Sequence, residues 1–345
     1  MKIILVVKEI EGGGIQKSYL TLFNSFLKYG YETYLFVLTK PNNLRNLHKN
    51  IIILNGYTEF QKGLQLRNYL KKLSNIDLAI INAEYMKKYL PLSSNKIFFT
   101  VHVIWSHRLG KGINKFFKLL KLKYRYYNEN IITVSDGIKK DLIENIKIKP
   151  KTIKIIPDSY DIDEINKLSH KKIDIKDDFI VAVGSLLPVK RYDLLIKSFS
   201  MIKNKTIKLI IVGSGKEKDN IINLINKYKL QKRIILKGFD ENPYKYIKNA
   251  KLLVLSSDSE GFSRVIIESL ILKTPIVSTD CSPIFKENFF PENLKKFIVP
   301  KNNAQLLAQK IEQALNDYPK INNEFCYTFS DKNIINQYIG LIQNK

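Results

Sequence analysis

Residues 3–39 read IILVVKEIEGGGIQKSYLTLFNSFLKYGYETYLFVLT. The apolar run Ile3 to Val7, the triplet Gly12-Gly13-Gly14, an apolar-spaced stretch from Gln16 to Tyr29 and a second apolar run from Tyr34 to Thr39 spell strand, turn, helix, strand. That is a βαβ opening. The alternation continues through strand-like Ile51 to Leu54, Leu78 to Asn82, Lys96 to Val103, Ile131 to Val134 and Thr152 to Ile156. After a polar stretch from Asp158 to Asp178 it restarts with Phe179 to Gly184, Ile207 to Gly213, Ile234 to Gly238, Lys251 to Ser256 and Pro275 to Thr279. Ala304 to Asn316 and Asp331 to Gln343 read as closing helices, and no repeat of 20 to 50 residues is evident. Parallel sheets covered by helices account for the pattern. The expected fold class is α/β, two doubly wound domains facing a cleft, with the junction near residues 160 to 178. Ligand sites then belong at the carboxyl ends of strands.

Composition sets the outer bounds. The 345 residues are 45% hydrophobic and 26% charged, a globular mixture that excludes a disordered tail protein. Cys281 and Cys326 make no disulfide framework and no metal-site spacing, which points to a reducing cytoplasm. Five apolar residues before Lys8 and Glu9 are too few for a signal-peptide core, and no run approaches a membrane span. The formal charge is +25, shared by both halves, so it attracts anions without marking a tail. Drift toward Lys, Ile and Asn accounts for part of it. Anionic phospholipid, a nucleotide substrate and nucleic acid are the partners that such a charge would suit.

The loops after strands carry the chemistry. Gly12-Gly13-Gly14 precedes a helix, where backbone N–H groups hold an oxyanion. A nicotinamide fold needs Gly-x-Gly-x-x-Gly here and an acidic residue closing the second strand, but that strand ends in Thr39-Lys40. Gly213-Ser214-Gly215 lacks a third glycine as well. Farther along, Gly184-Ser185-Leu186-Leu187-Pro188-Val189-Lys190-Arg191-Tyr192-Asp193 runs from strand into helix, and its lysine can reach a phosphate. Then Glu260-Gly261-Phe262-Ser263-Arg264 leads through Val265 to Glu268. Gly261 allows a sharp turn, Ser263 is placed to N-cap the next helix, and Glu268 falls in that helix's second turn. The helix start near Phe262 to Val265 is an anion seat.

Glu260 and Glu268, the Gly184 to Asp193 turn, Pro157-Asp158-Ser159-Tyr160-Asp161 and Val134-Ser135-Asp136-Gly137 resemble retaining, nucleotide-sugar-dependent glycosyltransferases of the GT-B fold, in the large bacterial family 4. Asn242 to Ala250 and Ser278-Thr279-Asp280-Cys281 are similar to members that build cell-surface polysaccharides. The resemblance implies two Rossmann-like domains. Residues 1–165 form the acceptor side and residues 166–345 the donor side, with room for the final helix to pack back on the first domain.

The same resemblance implies roles. Glu268 accepts hydrogen bonds from the donor ribose, Glu260 holds hydroxyls of the transferred sugar, and Lys190 stabilises the leaving diphosphate. The backbone of Phe262, Ser263 and Arg264, beside Gly261, approaches sugar and phosphate, and Gly13 and Gly14 close over the diphosphate from the first domain. His102 matches a histidine near the donor sugar, ahead of His107. The co-substrate is a nucleotide sugar, a UDP-sugar, with no metal and no further cofactor. Fixed cations and N–H dipoles lower the barrier where charge develops on the leaving oxygen. Retention in this family is explained by front-face attack, so no dedicated nucleophile is required. Ser185 stands where the family usually has arginine, with Gly184 before it and Arg191 or Arg264 as candidate replacements. Ile15-Gln16-Lys17 replaces the usual acidic-basic pair, and Arg264 stands where asparagine is common.

From Leu109 to Tyr127 the spacing gathers Ile113, Phe116, Phe117, Leu120, Tyr124 and Tyr127 on one side, with Lys111, Lys115, Lys118 and Arg125 elsewhere. This basic amphipathic helix either packs on a core or rests on anionic lipid. The implied partners are a nucleotide-sugar donor, an oligosaccharide or glycolipid acceptor and an anionic membrane surface, which places the protein in the cytoplasm, peripheral on the inner face of the membrane. Three readings compete with transfer. A glycoside hydrolase would use the paired carboxylates but has no need of phosphate loops. An epimerase or sugar-phosphate enzyme on the same fold would release nucleotide without an acceptor. A nucleic-acid-binding protein would want its lysines clustered with stacking aromatics, whereas these are spread through both halves.

Overall fold

The computed structural model describes residues 1–11, 13–41, 47–110, 112–322 and 326–343. Gly12 and Lys111, both singled out above, lie outside the described residues. The chain forms two compact units, Met1–Asp161 joined by the chain from Thr328 onward, and Ile162–Tyr327.

Seven parallel strands are described in the first unit: β1 (Lys2–Val7), β2 (Glu32–Val37), β3 (Ile51–Ile53), β4 (Leu78–Ile81), β5 (Ile97–Val101), β6 (Asn130–Thr133) and β7 (Thr152–Ile155). Their spatial order is β3-β2-β1-β4-β5-β6-β7. Ile3 to Val7 and all of β4 are buried, as central strands covered on both faces must be. β7 is largely exposed and forms the edge. The order reverses between β1 and β4, so this sheet has its switch point there. The helix Gly14–Lys28 covers one face through Tyr19, Phe23 and Phe26. Ile334, Ile335, Tyr338 and Ile339 of the last helix, Asp331–Gln343, join the same core, so the end of the chain is structurally part of the first unit.

The second unit repeats the plan with β8 (Phe179–Val183), β9 (Lys208–Val212), β10 (Ile234–Gly238), β11 (Leu252–Leu255), β12 (Ile276–Thr279) and β13 (Ile298–Val299), ordered β10-β9-β8-β11-β12-β13. Its switch point lies between β8 and β11. The two-residue β13 was not anticipated, being too short to leave a pattern. The core of this unit joins Ile180, Leu209 and Val254 of the sheet to Leu195 and Phe199 of the helix Tyr192–Met201 and Leu307 and Ile311 of the helix Ala304–Asn316.

The basic helix spans Gly112–Tyr126, and only Leu122 and Tyr126 on it are buried. The expected aromatic stripe does not enter a core. No helix among the described residues is long and apolar enough to cross a membrane.

Candidate active site

Two loops meet at the switch point of the second sheet. The loop after β8 carries Gly184 to Arg191, and its single turn Pro188–Lys190 brings the lysine back over the strand ends. The loop after β11 carries Ser256 to Ser263. Asp258 N donates to Val189 O at 2.8 Å, and Ser256 Oγ donates to Lys190 O at 2.8 Å. These bonds fix the two loops against each other. Lys190 Nζ then lies 2.6 Å from Glu260 Oε1, which also accepts from Ser257 Oγ at 2.6 Å. Glu260 N donates to Cys281 O at 2.7 Å, and Thr279 Oγ1 donates to Ser257 O at 2.6 Å, tying the carboxylate loop to the end of β12. Burial first, and the Glu260 charge second, push the Cys281 thiol up to about 12.

Gly184 sits directly under the lysine. A Cβ there would lie 3.7 Å from Lys190 Nζ, and Tyr192 Oη donates to Gly184 O at 3.1 Å. Burial, then the Glu260 charge, holds that phenol above its ordinary range. The neighbouring loop after β9 presses from the other side: Leu186 N donates to Ser214 O at 2.8 Å. Gly213 and Gly215 adopt φ of 154° and 155°, and a Cβ on Gly213 would fall 1.9 Å from Gly184 O. Glycine is required at Gly213 by contact as well as by backbone angle. Ser185 contributes its carbonyl to Leu187 N at 2.9 Å.

Arg191, considered above as a replacement phosphate cation, is engaged elsewhere. It takes a left-handed φ of 51° ahead of the helix Tyr192–Met201 and binds Asp193 at 3.0 Å, Asp258 at 2.9 Å and Asn302. The Asp193 bonds, set against partial burial, raise the guanidinium further. This places it as a clamp between the two loops.

The helix Arg264–Ile271 follows. Ser263 stands at its N-cap position, but its backbone is left-handed (φ 59°, ψ 68°) and its hydroxyl makes no capping bond. The expected side-chain cap is therefore corrected: a hydroxyl cap needs extended backbone, and here the sharp turn takes priority. Ser263 Oγ is buried without a hydrogen-bond partner, and Phe262 beside it is 4% exposed. Glu268 is 3% exposed, with Tyr244 Oη donating to its Oε1 at 3.5 Å and Arg264 Nε at 3.8 Å. Burial, then the Glu268 charge, raises the Tyr244 phenol, so it stays a proton donor. Tyr244 was quoted above within Asn242 to Ala250 but given no role. Ser257 and Asp258 were likewise unassigned.

In the first unit, Gly13 is extended (φ −146°) and Gly14 opens the helix after β1. Gln16 Nε2, within the replaced acidic-basic pair, donates to Glu9 Oε1 at 3.0 Å. His102 follows β5 with its Nδ1 3.4 Å from Asp158 Oδ1, both side chains under a tenth exposed. Tyr19, Thr100 and Ser159 line the same small cavity, together with Leu22 and Pro157.

A strand-end lysine is thus paired to a carboxylate across the switch point, with a buried glutamate in the next helix. Residues 163–327 match the family described as glycosyl transferases group 1. This segment is similar to the group 1 glycosyl transferases. Over 205 residues the chain is 34% identical to an N-acetylgalactosamine-N,N'-diacetylbacillosaminyl-diphospho-undecaprenol 4-alpha-N-acetylgalactosaminyltransferase of Campylobacter jejuni, covering 59% of this chain and 55% of that one. Over 262 residues it is 31% identical to an uncharacterized glycosyltransferase of Methanocaldococcus jannaschii, covering 71% and 62%. The chain thus spans a little over half of these curated relatives. Among solved structures, Anabaena HepE in complex with UDP and glucose superposes with a TM-score of 0.79 at 17% identity, over 100% of both chains. A glycosyltransferase from Rickettsia africae gives 0.78 at 19%, over 99% and 98%. The chain shares the two-domain GT-B fold of these neighbours.

Proposed function

We propose that the protein transfers a sugar, with retention, from a UDP-sugar to a hydroxyl of a surface or lipid-linked glycan. The observation that carries this reading is the Lys190–Glu260 pair across the β8/β11 switch point. The names of the similar proteins support it: the Campylobacter relative acts on a diphospho-undecaprenol-linked sugar, and the Anabaena neighbour holds UDP and glucose. On this reading the enzyme works at the cytoplasmic face of the membrane that holds its acceptor.

Each group has a task. Glu268, held by Tyr244 and flanked by Arg264, accepts hydrogen bonds from the donor ribose. Lys190 faces the diphosphate and gains attraction as negative charge builds on the leaving oxygen, an interaction stronger in the transition state than in the ground state. Glu260 exchanges its lysine for hydroxyls of the transferred sugar, while Ser257 keeps the carboxylate oriented. The N–H groups at the start of the Arg264–Ile271 helix, with Gly261, Phe262 and Ser263, add fixed dipoles toward phosphate. Gly184 and Ser185 leave room for phosphate beside Lys190, and Arg191 keeps the two loops together. Gly13, Gly14 and His102 serve the same reaction from the first unit, with Asp158 setting the orientation of the His102 ring. The acceptor proton passes to the departing phosphate on the same face of the sugar, so retention needs no protein nucleophile.

The test is a thermal-shift panel with UDP, GDP, ADP and UDP-sugars on the parent, Lys190→Ala and Glu268→Ala. Ligand at a hundredfold excess over its dissociation constant stabilises by about 2.7 kcal/mol. UDP is expected to shift the parent, and both substitutions to abolish the shift. A parent indifferent to every nucleotide would sink the proposal. Nucleotide release from a UDP-sugar without any acceptor would favour the epimerase reading instead.

A further inference from the structure

The helix Gly112–Tyr126 presents a run of exposed large apolar side chains. Ile113, Phe116, Phe117, Leu120, Tyr124 and the following Tyr127 are 71%, 57%, 62%, 48%, 87% and 63% exposed. At about 100° per residue these six fall within roughly 100° of arc, a continuous apolar stripe. The two side chains that attach the helix to its unit, Leu122 and Tyr126, lie on the opposite side. Every described residue from Gly112 to Lys118 is exposed, so the first two turns stand clear of the body. A contiguous exposed apolar stripe of this kind marks an interaction surface.

The charges around it identify the occupant. From Ser106 to Asn128 the sequence holds no Asp or Glu, while Lys115, Lys118, Lys121, Lys123 and Arg125 all fall on the helix. Lys121 and then Arg125 lie beyond one edge of the stripe and Lys123 beside the other, while Lys118 and Lys115 fall nearer the Leu122 side. A second copy of a +25 chain would bring the same cations against themselves. A neutral apolar groove would leave them without counter-charge. An aromatic stripe between rows of cations matches the boundary between anionic headgroups and acyl chains, with rings at headgroup depth and lysines reaching outward to phosphate.

We propose that the helix Gly112–Tyr126 is a membrane-seating element that lies in the plane of an anionic bilayer, its Phe116–Phe117 face inserted and its lysines on lipid phosphate. The seating needs no bound nucleotide. It stands or falls separately from the transfer reaction.

Co-sedimentation of the full chain with vesicles tests it. The parent is expected to pellet with phosphatidylglycerol-containing vesicles, to remain in solution with pure phosphatidylcholine, and to be released by high salt. Each cation removed beside the stripe, Lys121→Ala or Lys123→Ala, is expected to weaken binding about fivefold, the ratio for one basic residue near an anionic surface. The double variant Phe116→Ser with Phe117→Ser is expected to abolish it. Lys227→Glu, a charge reversal on a solvent-facing helix of the second unit, is expected to leave it nearly unchanged. Both phenylalanines are exposed, so the variant is expected to fold, and a melting temperature near the parent's reports that it has. Lys190→Ala should bind vesicles like the parent, which separates failure of the donor site from failure of the seating. Vesicle binding that survives the Phe116/Phe117 change, or that Lys227→Glu weakens as much as Lys121→Ala, overturns the proposal in favour of diffuse charge. A parent that sediments as a dimer in solution and becomes monomeric on the Phe116/Phe117 change, without binding vesicles, overturns it in favour of a second copy. A parent that ignores anionic vesicles but is pulled down by an acidic protein through the same helix overturns it in favour of a protein partner.

Discussion

Lys190 Nζ and Glu260 Oε1 lie 2.6 Å apart although 70 residues separate them in the chain. The pair joins the loop after β8 to the loop after β11, and both side chains are less than a fifth exposed. Held this way, neither charge stands alone in a partly buried place while the site is empty. On the proposed function the ligand offers each a better partner: phosphate for the lysine, sugar hydroxyls for the carboxylate.

Removing either member should therefore cost rate far more than stability. Lys190→Ala is expected to lower turnover by about 10² to 10³, the range for losing one positioned charge or donor at a developing oxyanion. Glu260→Gln keeps an acceptor for Ser257 and loses the charge. It should raise KM for the donor and lower kcat less than Lys190→Ala does. Initial rates of UDP release at varied donor, with melting temperature as the folding control, check both. Equal effects of the two substitutions on kcat would mean that they act only as a structural pair.

Tyr244→Phe isolates the hydroxyl that steadies Glu268. The bond is long at 3.5 Å, so its loss should weaken UDP binding by about three- to tenfold, the range of an ordinary hydrogen bond and below that of a short one to a charged group. The effect should vanish in the Glu268→Ala background. Calorimetric titration of the double-mutant cycle measures it, and additive losses would show that Tyr244 acts elsewhere.

Sequence alone exposed the strands because buried parallel strands read as unbroken apolar runs, as Ile3 to Val7 and Phe179 to Val183 do. Lys190, Glu260 and Glu268 were visible as polar residues following such runs. Their pairing was not, since sequence distance carries no record of which strands become neighbours. Tyr244 escaped because its helix, Tyr244–Asn249, is too short to display a period, and its role arises from packing beside Arg264–Ile271. Ser263 misled in the opposite sense: a serine before a helix suggests a cap, but a left-handed turn overrides it. The stripe on Gly112–Tyr126 was legible as a stripe and illegible in direction, because core-facing and solvent-facing helices share one periodicity.

The glycines of the second unit separate packing from ligand access. Gly213→Ala drives a Cβ to within 1.9 Å of Gly184 O at a backbone angle unsuited to alanine, and should destabilise by about 3 kcal/mol or more while disordering the loop under Lys190. Gly184→Ala meets nothing closer than 3.5 Å, so its melting temperature should stay near the parent's. If phosphate approaches the backbone there, UDP affinity should still fall at least tenfold. Denaturant unfolding and UDP titration of both variants give the contrast. A Gly184→Ala protein that binds UDP normally would place the phosphate away from this loop.

The end of the chain is tied to the first unit by Lys28, whose Nζ lies 2.7 Å from Asp331 Oδ2 and 3.2 Å from Asp161 Oδ2, while Tyr29 Oη donates to Asp331 Oδ1 at 2.9 Å. Burial alone would lower the Lys28 value, but the bonds and charges of Asp331 and Asp161 outweigh it and hold the ammonium well above its ordinary range. Burial and the Asp331 bond likewise raise the Tyr29 phenol. Both groups have folded values above their unfolded ones, so the stability they contribute is fully present below the unfolded values, about 10 for both. It is lost as pH climbs from there toward the folded values. Asp331→Asn is expected to cost about 1 kcal/mol, reduced from a buried pair because Lys28 is 40% exposed. The difference between parent and variant in urea midpoint should be flat from about pH 7 to 9.5 and shrink above about pH 10.5. A gap that narrows on acidification instead, within the neutral range, would assign the tie to a group other than Lys28 and Tyr29.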